Sequence, residues 1–307
     1  MSAHNMWTPS MQRIAASEIT AFGAYLGKRA GRLIDTSNEL AAFALNEPEE
    51  LWSALWDFYG VIGEKGDAPF MTGDDMTSTC FFPGAQLNFT ENLMGMGTDR
   101  DPETPVLIFR GEDKEKFSWT WSDLQTHVSR LQQALIESGV GPGDRVAGLL
   151  PNRPEAVAAM LAAVSLGATW CSASPDFGAR AVLDRFGQIE PKVLFATDGY
   201  WYAGKRFEIG QKLGAIVQQL PSLTRTVVID YLGSAQDVAD DLHNGTTFAA
   251  FESAFAAAPL KFTRLPFDHP LYIVFSSGTT GAPKCIVHRA GGVLLQHLKE
   301  HALHADI

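Results

Sequence analysis

The sequence predicts a layered α/β domain preceded by a partly helical lead-in, and three observations carry that prediction. From about Pro105 onward, short apolar runs alternate with segments whose apolar residues recur at helical spacing, the pattern of a sheet covered by helices. The runs 193–196, 226–229 and 271–275 are short and apolar, as strands buried on both faces are. The last of them empties into Ser276-Ser277-Gly278-Thr279-Thr280-Gly281-Ala282-Pro283-Lys284. Open α/β sheets place their ligands at such strand ends.

Residues 1–100 form the lead-in and residues 101–307 the layered domain. Thr8 followed by Pro9 reads as a helix cap with proline at the first helical position, and Met11, Ile14, Phe22 and Leu26 follow near helical spacing. A second helix starts near Pro48, with Glu49 and Glu50 at the positive end of its dipole. Its apolar face of Leu51, Trp52, Leu55, Trp56 and Tyr59 is core packing rather than a base-stacking platform. In the domain, 106–109 and 117–120 read as a hairpin around the charged turn 111–116. A helix carrying Leu124, Val128, Leu131 and Leu135 stops at Gly139, and a turn from Gly141 to Asp144 leads into strand 145–150. Helices over 154–166 and 178–189 follow, the latter spaced by Val182, Phe186 and Ile189.

A chain of 307 residues with 46% hydrophobic content buries a sizeable core. Its formal charge of -11 argues against nucleic-acid or anionic-membrane partners, whose nonspecific binding runs on clustered Lys and Arg. Acidic substrates must be met by local positive sites. Cys80, Cys171 and Cys285 are odd in number and include no Cys-x-x-Cys pair, so neither a disulfide framework nor a zinc site is expected, and a reducing compartment is the simpler reading. The amino terminus lacks a signal-peptide pattern and no long uncharged apolar run occurs, so the cytoplasm is the expected location.

The loop after the last strand is a phosphate cradle in composition. Gly278 and Gly281 allow backbone N–H groups to turn inward, Ser276, Ser277, Thr279 and Thr280 supply rotatable donors, and Lys284 adds a compact positive charge. It is not a Walker A loop, because Pro283 precedes the lysine and Cys285 follows it. The loop resembles the signature of the acyl-adenylate-forming superfamily, departing from it only at Cys285, where glycine is usual. The fold class implied is an adenylate-forming N-terminal domain, incomplete here, of α/β type.

A narrower resemblance rests on three stretches. The run from Lys284 through His288, Gly291, Gly292, Gln296 and His297 to His301 is similar to the acetoacetyl-CoA synthetase family, in which cysteine follows the loop lysine. Ser174-Pro175-Asp176-Phe177-Gly178 and the segment 183–199 resemble that family more than acetyl-CoA synthetases. The segment from Phe82 through Asn88 and Glu91 to Leu93 resembles the structural stretch that short-chain acyl-CoA synthetases place before their nucleotide domain. This resemblance implies an AMP-forming acid–thiol ligase: ATP and acetoacetate give acetoacetyl-adenylate and pyrophosphate, and coenzyme A then displaces AMP. It assigns Ser276, Ser277, Gly278, Thr279, Thr280 and Gly281 to the β- and γ-phosphates and Lys284 to catalysis as an electrostatic clamp. Magnesium ligands, the acyl pocket and a mobile carboxy-terminal domain fall beyond Ile307 in that family, so an inactive amino-terminal portion is the expectation. Ligases for acetate, propionate or another oxo acid, and a noncatalytic nucleotide-binding module, stay open as alternatives.

Two further groups carry two readings each. Lys205 and Arg206, after the aromatic turn Tyr200-Trp201-Tyr202, read as a solvated basic pair on a surface loop. The resemblance to acetyl-CoA synthetases places them instead on the 3′-phosphate of coenzyme A. His297, His301 and His304 fall on one α-helical face near His288, and imidazoles four apart can hold zinc. No Glu follows the first of them as a His-Glu-x-x-His site requires, so no metal is assigned.

Overall fold

The computed structural model describes residues 6–95, 100–276 and 281–307. They form two compact units: one of residues up to 86 with 266–268 and 291–307, the other of 87–265 and 269–290.

In the first unit Ser10, not Thr8, caps the opening helix Met11–Ala15, its hydroxyl accepting from the Arg13 N–H at 3.2 Å. Pro9 therefore precedes the helix instead of starting it. The spacing from Met11 to Leu26 also spans two helices, because Ser17 donates back to the Ile14 carbonyl at 2.7 Å and ends the first. The second, Glu18–Ala30, buries Phe22 and Leu26, whereas Met11 and Ile14 stay exposed. A helix absent from the sequence expectations, Ser37–Asn46, begins at a reciprocal capping box of Thr36 and Glu39. Pro48–Phe58 starts at the expected proline, buries Leu55 and Trp56, and sets Phe58 edge-on to Phe22 with centroids 5.4 Å apart. The helix Ala290–His297 continues into a π-helix, Leu298–His304, near whose end Asp306 accepts from the Glu18 N–H at 2.8 Å.

The second unit is built on a seven-stranded sheet. Its strands in chain order are β1 (Arg145–Leu149), β2 (Thr169–Ala173), β3 (Val193–Thr197), β4 (Arg225–Ile229), β5 (Gly245–Thr247), β6 (Pro270–Phe275) and β7 (Cys285–Arg289). In space the order is β5-β4-β3-β1-β2-β6-β7, parallel throughout except for the antiparallel β6–β7 pair. The expected hairpin forms as Pro105–Arg110 and Lys116–Thr120, outside this sheet. The central strand β2 has no counterpart in the sequence expectations, which passed from the 154–166 helix straight to the next one.

One face of the sheet buries Ala147, Cys171, Leu194, Val228 and Ile273 against helices Ala179–Ile189 and Gly210–Val217, which contribute Val182, Phe186, Ile189, Leu213 and Ile216. Helix Pro154–Ser165 begins with its proline in the first turn, as expected, and lies against helix Trp121–Glu137, which opens at a Thr120–Asp123 capping box. This order creates a topological switch between β2 and β6. The connection leaving β2 runs back over β1 to β3, whereas the one leaving β6 turns outward to β7. Among the described residues no helix is long and apolar enough to cross a membrane.

Candidate functional site

The loop predicted to cradle phosphate leaves the carboxyl end of β6 at that switch. Its mouth is closed by a reciprocal pair: the Ser276 N–H donates to the Lys284 carbonyl at 3.1 Å, and the Lys284 N–H donates to Ser276 Oγ at 3.1 Å. Both peptide groups of Lys284 are thus occupied while its side chain stays exposed. The Ser276 hydroxyl accepts in this pair, which leaves its own proton available to an anion. Gly281 adopts φ of +152°, a conformation that L side chains rarely enter, so the loop needs glycine there. Ser277, Gly278, Thr279 and Thr280 lie outside the described residues.

Residues that the sequence did not single out brace this mouth. Gln188, from helix Ala179–Ile189, donates through Nε2 to the Pro283 carbonyl at 2.9 Å and accepts at Oε1 from Cys285 Sγ at 3.6 Å. Three residues upstream on the same helix, the Arg185 guanidinium sits 4.7 Å from the Phe177 ring centroid and 5.8 Å from that of Phe275. The segment holding Phe177 is tied down by Lys212, whose ammonium donates to the carbonyls of Pro175 and Phe177 at 2.5 and 3.0 Å. Burial pushes the Lys212 ammonium below the ordinary lysine pKa, and the charge of Asp176 partly offsets that. On β2, burial pushes the Cys171 thiol up to about 12. These braces pair residues up to 97 positions apart, which no local pattern reports.

Lys205 and Arg206 lie neither on an irregular loop nor beside an aromatic turn. Tyr200, Trp201 and Tyr202 belong to strand Gly199–Tyr202, which pairs antiparallel with Lys205–Glu208. The turn falls at Ala203 and Gly204, with φ of 50° and 72°, the positive values that a tight two-residue hairpin demands. Tyr200 stacks on Phe207 with centroids 5.2 Å apart, stiffening the ribbon. Both basic residues are exposed, and Arg206 also pairs with Glu208 at 3.0 Å. The ribbon follows β3, so it leaves the same carboxyl end of the parallel strands as the loop, with β1 and β2 between. Asp198 fixes its root by accepting backbone N–H groups from Tyr231, Leu232 and Ser234 at 2.9–3.0 Å.

The histidines meet differently from the expected α-helical face, because π-helical winding begins right after His297. The His297 and His301 rings pack edge to face at 5.5 Å, and His304 approaches Glu300 at 3.4 Å. Among the described residues, no group of three His, Cys, Asp or Glu is placed to hold a metal ion.

A mostly parallel sheet with covering helices defines an α/β domain, and residues 97–305 match the family described as AMP-binding enzyme. The chain belongs to that family. It is 48% identical over 302 residues to acetoacetyl-coenzyme A synthetase of Rhizobium meliloti (strain 1021), covering 98% of this chain and 46% of the relative. It is 38% identical over 309 residues to acetoacetyl-CoA synthetase of Macaca fascicularis, covering 98% of this chain and 45% of the relative. Among solved structures, acetoacetyl-CoA synthetase from Streptomyces lividans superposes with a TM-score of 0.92 at 37% identity, over 99% of this chain and 46% of that one. The chain thus spans about half the length of the curated relatives it matches.

Proposed function

We propose that the protein carrying this chain ligates acetoacetate to coenzyme A through an acetoacetyl-adenylate, and that this half holds the phosphates of ATP. The observation that carries the reading is the 48% identity to an acetoacetyl-coenzyme A synthetase over nearly the whole chain, together with a loop of fitting chemistry at the switch of the sheet. A carboxylate attacking a triphosphate brings anions together, so the site needs oriented donors and positive charge that act most strongly as pyrophosphate departs. Ser276, Gly281 and Lys284, with Ser277, Gly278, Thr279 and Thr280 between them in sequence, supply that set. Lys284 neutralises charge on the leaving phosphates, its backbone anchored so that the ammonium alone moves.

The exposed ribbon with Lys205 and Arg206 suits the 3′-phosphate of coenzyme A. Magnesium, with ligands from outside this chain, would offset the negative charge of the phosphates that Lys284 meets. The acidic chain and its lack of a Cys-x-x-Cys pair support a cytoplasmic enzyme with small-molecule substrates and neither nucleic-acid nor membrane partners.

Acetoacetate-dependent exchange of labelled pyrophosphate into ATP, with acetate as the comparison acid, tests the reading in the protein that carries this chain. Exchange favouring acetoacetate is expected; equal or faster exchange with acetate overturns the choice of acid.

A further inference from the structure

We propose that Gln188 and Cys285 form a latch that positions Lys284, making Gln188 a positioning residue for the phosphate site; the inference rests on the reading of Lys284 as the phosphate clamp. Three consecutive residues, Pro283, Lys284 and Cys285, are held from two sides. Ser276 takes both peptide groups of Lys284. Gln188 takes the residue on either flank, through Nε2 to the Pro283 carbonyl at 2.9 Å and through Oε1 from Cys285 Sγ at 3.6 Å.

The glutamine is itself aimed, because Nε2 also donates to the Asp184 carbonyl one helical turn earlier at 2.6 Å. Its helix is anchored in the core by Val182, Phe186 and Ile189. The latch therefore refers the lysine backbone to the buried core of the unit, while the lysine side chain stays exposed. A long lysine on an unbraced loop would lose conformational entropy on meeting a phosphate, and bracing its backbone beforehand reduces that cost.

The latch also gives Cys285 a role that packing does not. It lies on edge strand β7, exposed, paired with Phe275. Glycine there would keep the strand but offer Gln188 Oε1 no side-chain donor; the thiol is a weak donor of the right reach. The amide–carbonyl bond to Pro283 is the stronger arm, and the thiol adds a weak second arm at Oε1.

ATP affinity and pyrophosphate exchange of four proteins test this: wild type, Gln188→Leu, Lys284→Ala and the double variant. With one net hydrogen bond at stake, Gln188→Leu is expected to weaken ATP binding roughly fivefold, with the loss absent in the Lys284→Ala background. Cys285→Ser should retain wild-type affinity and Cys285→Gly should lose part of it. Equal cost of Gln188→Leu with and without Lys284, or no cost at all, overturns the latch. Absence of ATP binding by the wild type removes the phosphate reading and the latch together. Exchange favouring acetate, with the variant pattern intact, removes only the acid assignment.

Discussion

Replacing Asn88 probes how the second unit is tied together. Its Nδ2 donates to the carbonyls of Val164, Ser165 and Thr263 at 3.0, 3.1 and 2.9 Å, and its Oδ1 accepts from the Glu91 N–H at 3.1 Å. Val164 and Ser165 close helix Pro154–Ser165, where carbonyls lack intrahelical partners, and Glu91 lies in the first turn of helix Phe89–Gly95. One side chain therefore caps two helices and pins a third segment, at 4% exposure, where water does not replace lost partners.

Asn88→Ala forfeits a cap, about 1 kcal/mol, and takes the amide donor from the Thr263 carbonyl at a further cost of about 2 kcal/mol, while the Val164 and Ser165 carbonyls keep the N–H groups of Gly167 and Thr263 at 2.9 Å. For a unit of this size, roughly 3 kcal/mol lowers Tm by about 6–12 °C. Asn88→Asp separates the two contributions. It keeps the acceptor for Glu91 but points a carboxylate at three carbonyl oxygens, so at neutral pH it should cost more than alanine. Those oxygens hold the carboxyl above its unfolded pKa, so the folded state takes up the proton first and the excess cost shrinks as pH falls. Thermal melts of both variants followed by circular dichroism across pH 5–8 provide the readout. An alanine variant within about 1 kcal/mol of wild type, or an aspartate variant as stable as wild type, would refute the reasoning.

Three further outcomes are expected. Lys284→Ala should slow adenylate formation by roughly 10²-fold or more, as loss of a preorganised charge donor does; an unchanged exchange rate would remove Lys284 from the phosphate site. Double alanine replacement of Lys205 and Arg206 should weaken coenzyme A binding about fivefold, as loss of exposed ion pairs does, without changing pyrophosphate exchange; unchanged coenzyme A affinity would return the pair to a solvated surface role. Iodoacetamide at pH 8 should modify exposed Cys285 and spare Cys171, whose burial pushes its thiol up to about 12 and so keeps it protonated at that pH. Peptide mass spectrometry reads this, and equal labelling rates in the folded protein would contradict the burial.

What could be read from residues alone was what local patterning carries. Helix starts marked by Pro48 and Pro154, the apolar strands on either side of long gaps, and the hydroxyl–glycine–lysine loop each announce themselves within a few positions. Strand β2 carries a weak local signal, because Trp170 is its one large apolar residue among Thr169, Cys171, Ser172 and Ala173, and its strand character comes from pairing with β1 and β6. The aromatic run from Tyr200 does not show its strand character locally, because the reversal after Tyr202 uses Ala203, a residue type that rarely takes positive φ. Thr36 and Glu39 carry the Thr-x-x-Glu spacing of a capping box, a local sign of helix Ser37–Asn46. The bracing role of Gln188 has no local sign, since Pro283 and Cys285 lie 95 and 97 positions away.

The position of β6 also dictates when this site can come into being. Tyr272 and Ile273 pair with Trp170 and Cys171, while the intervening chain builds β3, β4 and β5 on the other side of β1. Such a non-local parallel pairing carries a loop-closure cost before its contacts reward it, and high contact order slows folding. The loop mouth therefore completes late: Ser276 meets Lys284 only after β6 has found β2. Time-resolved hydrogen exchange during refolding should show the β1 and β3 amides protected before those of β6 and β7, with nucleotide affinity recovering in step with the slower set.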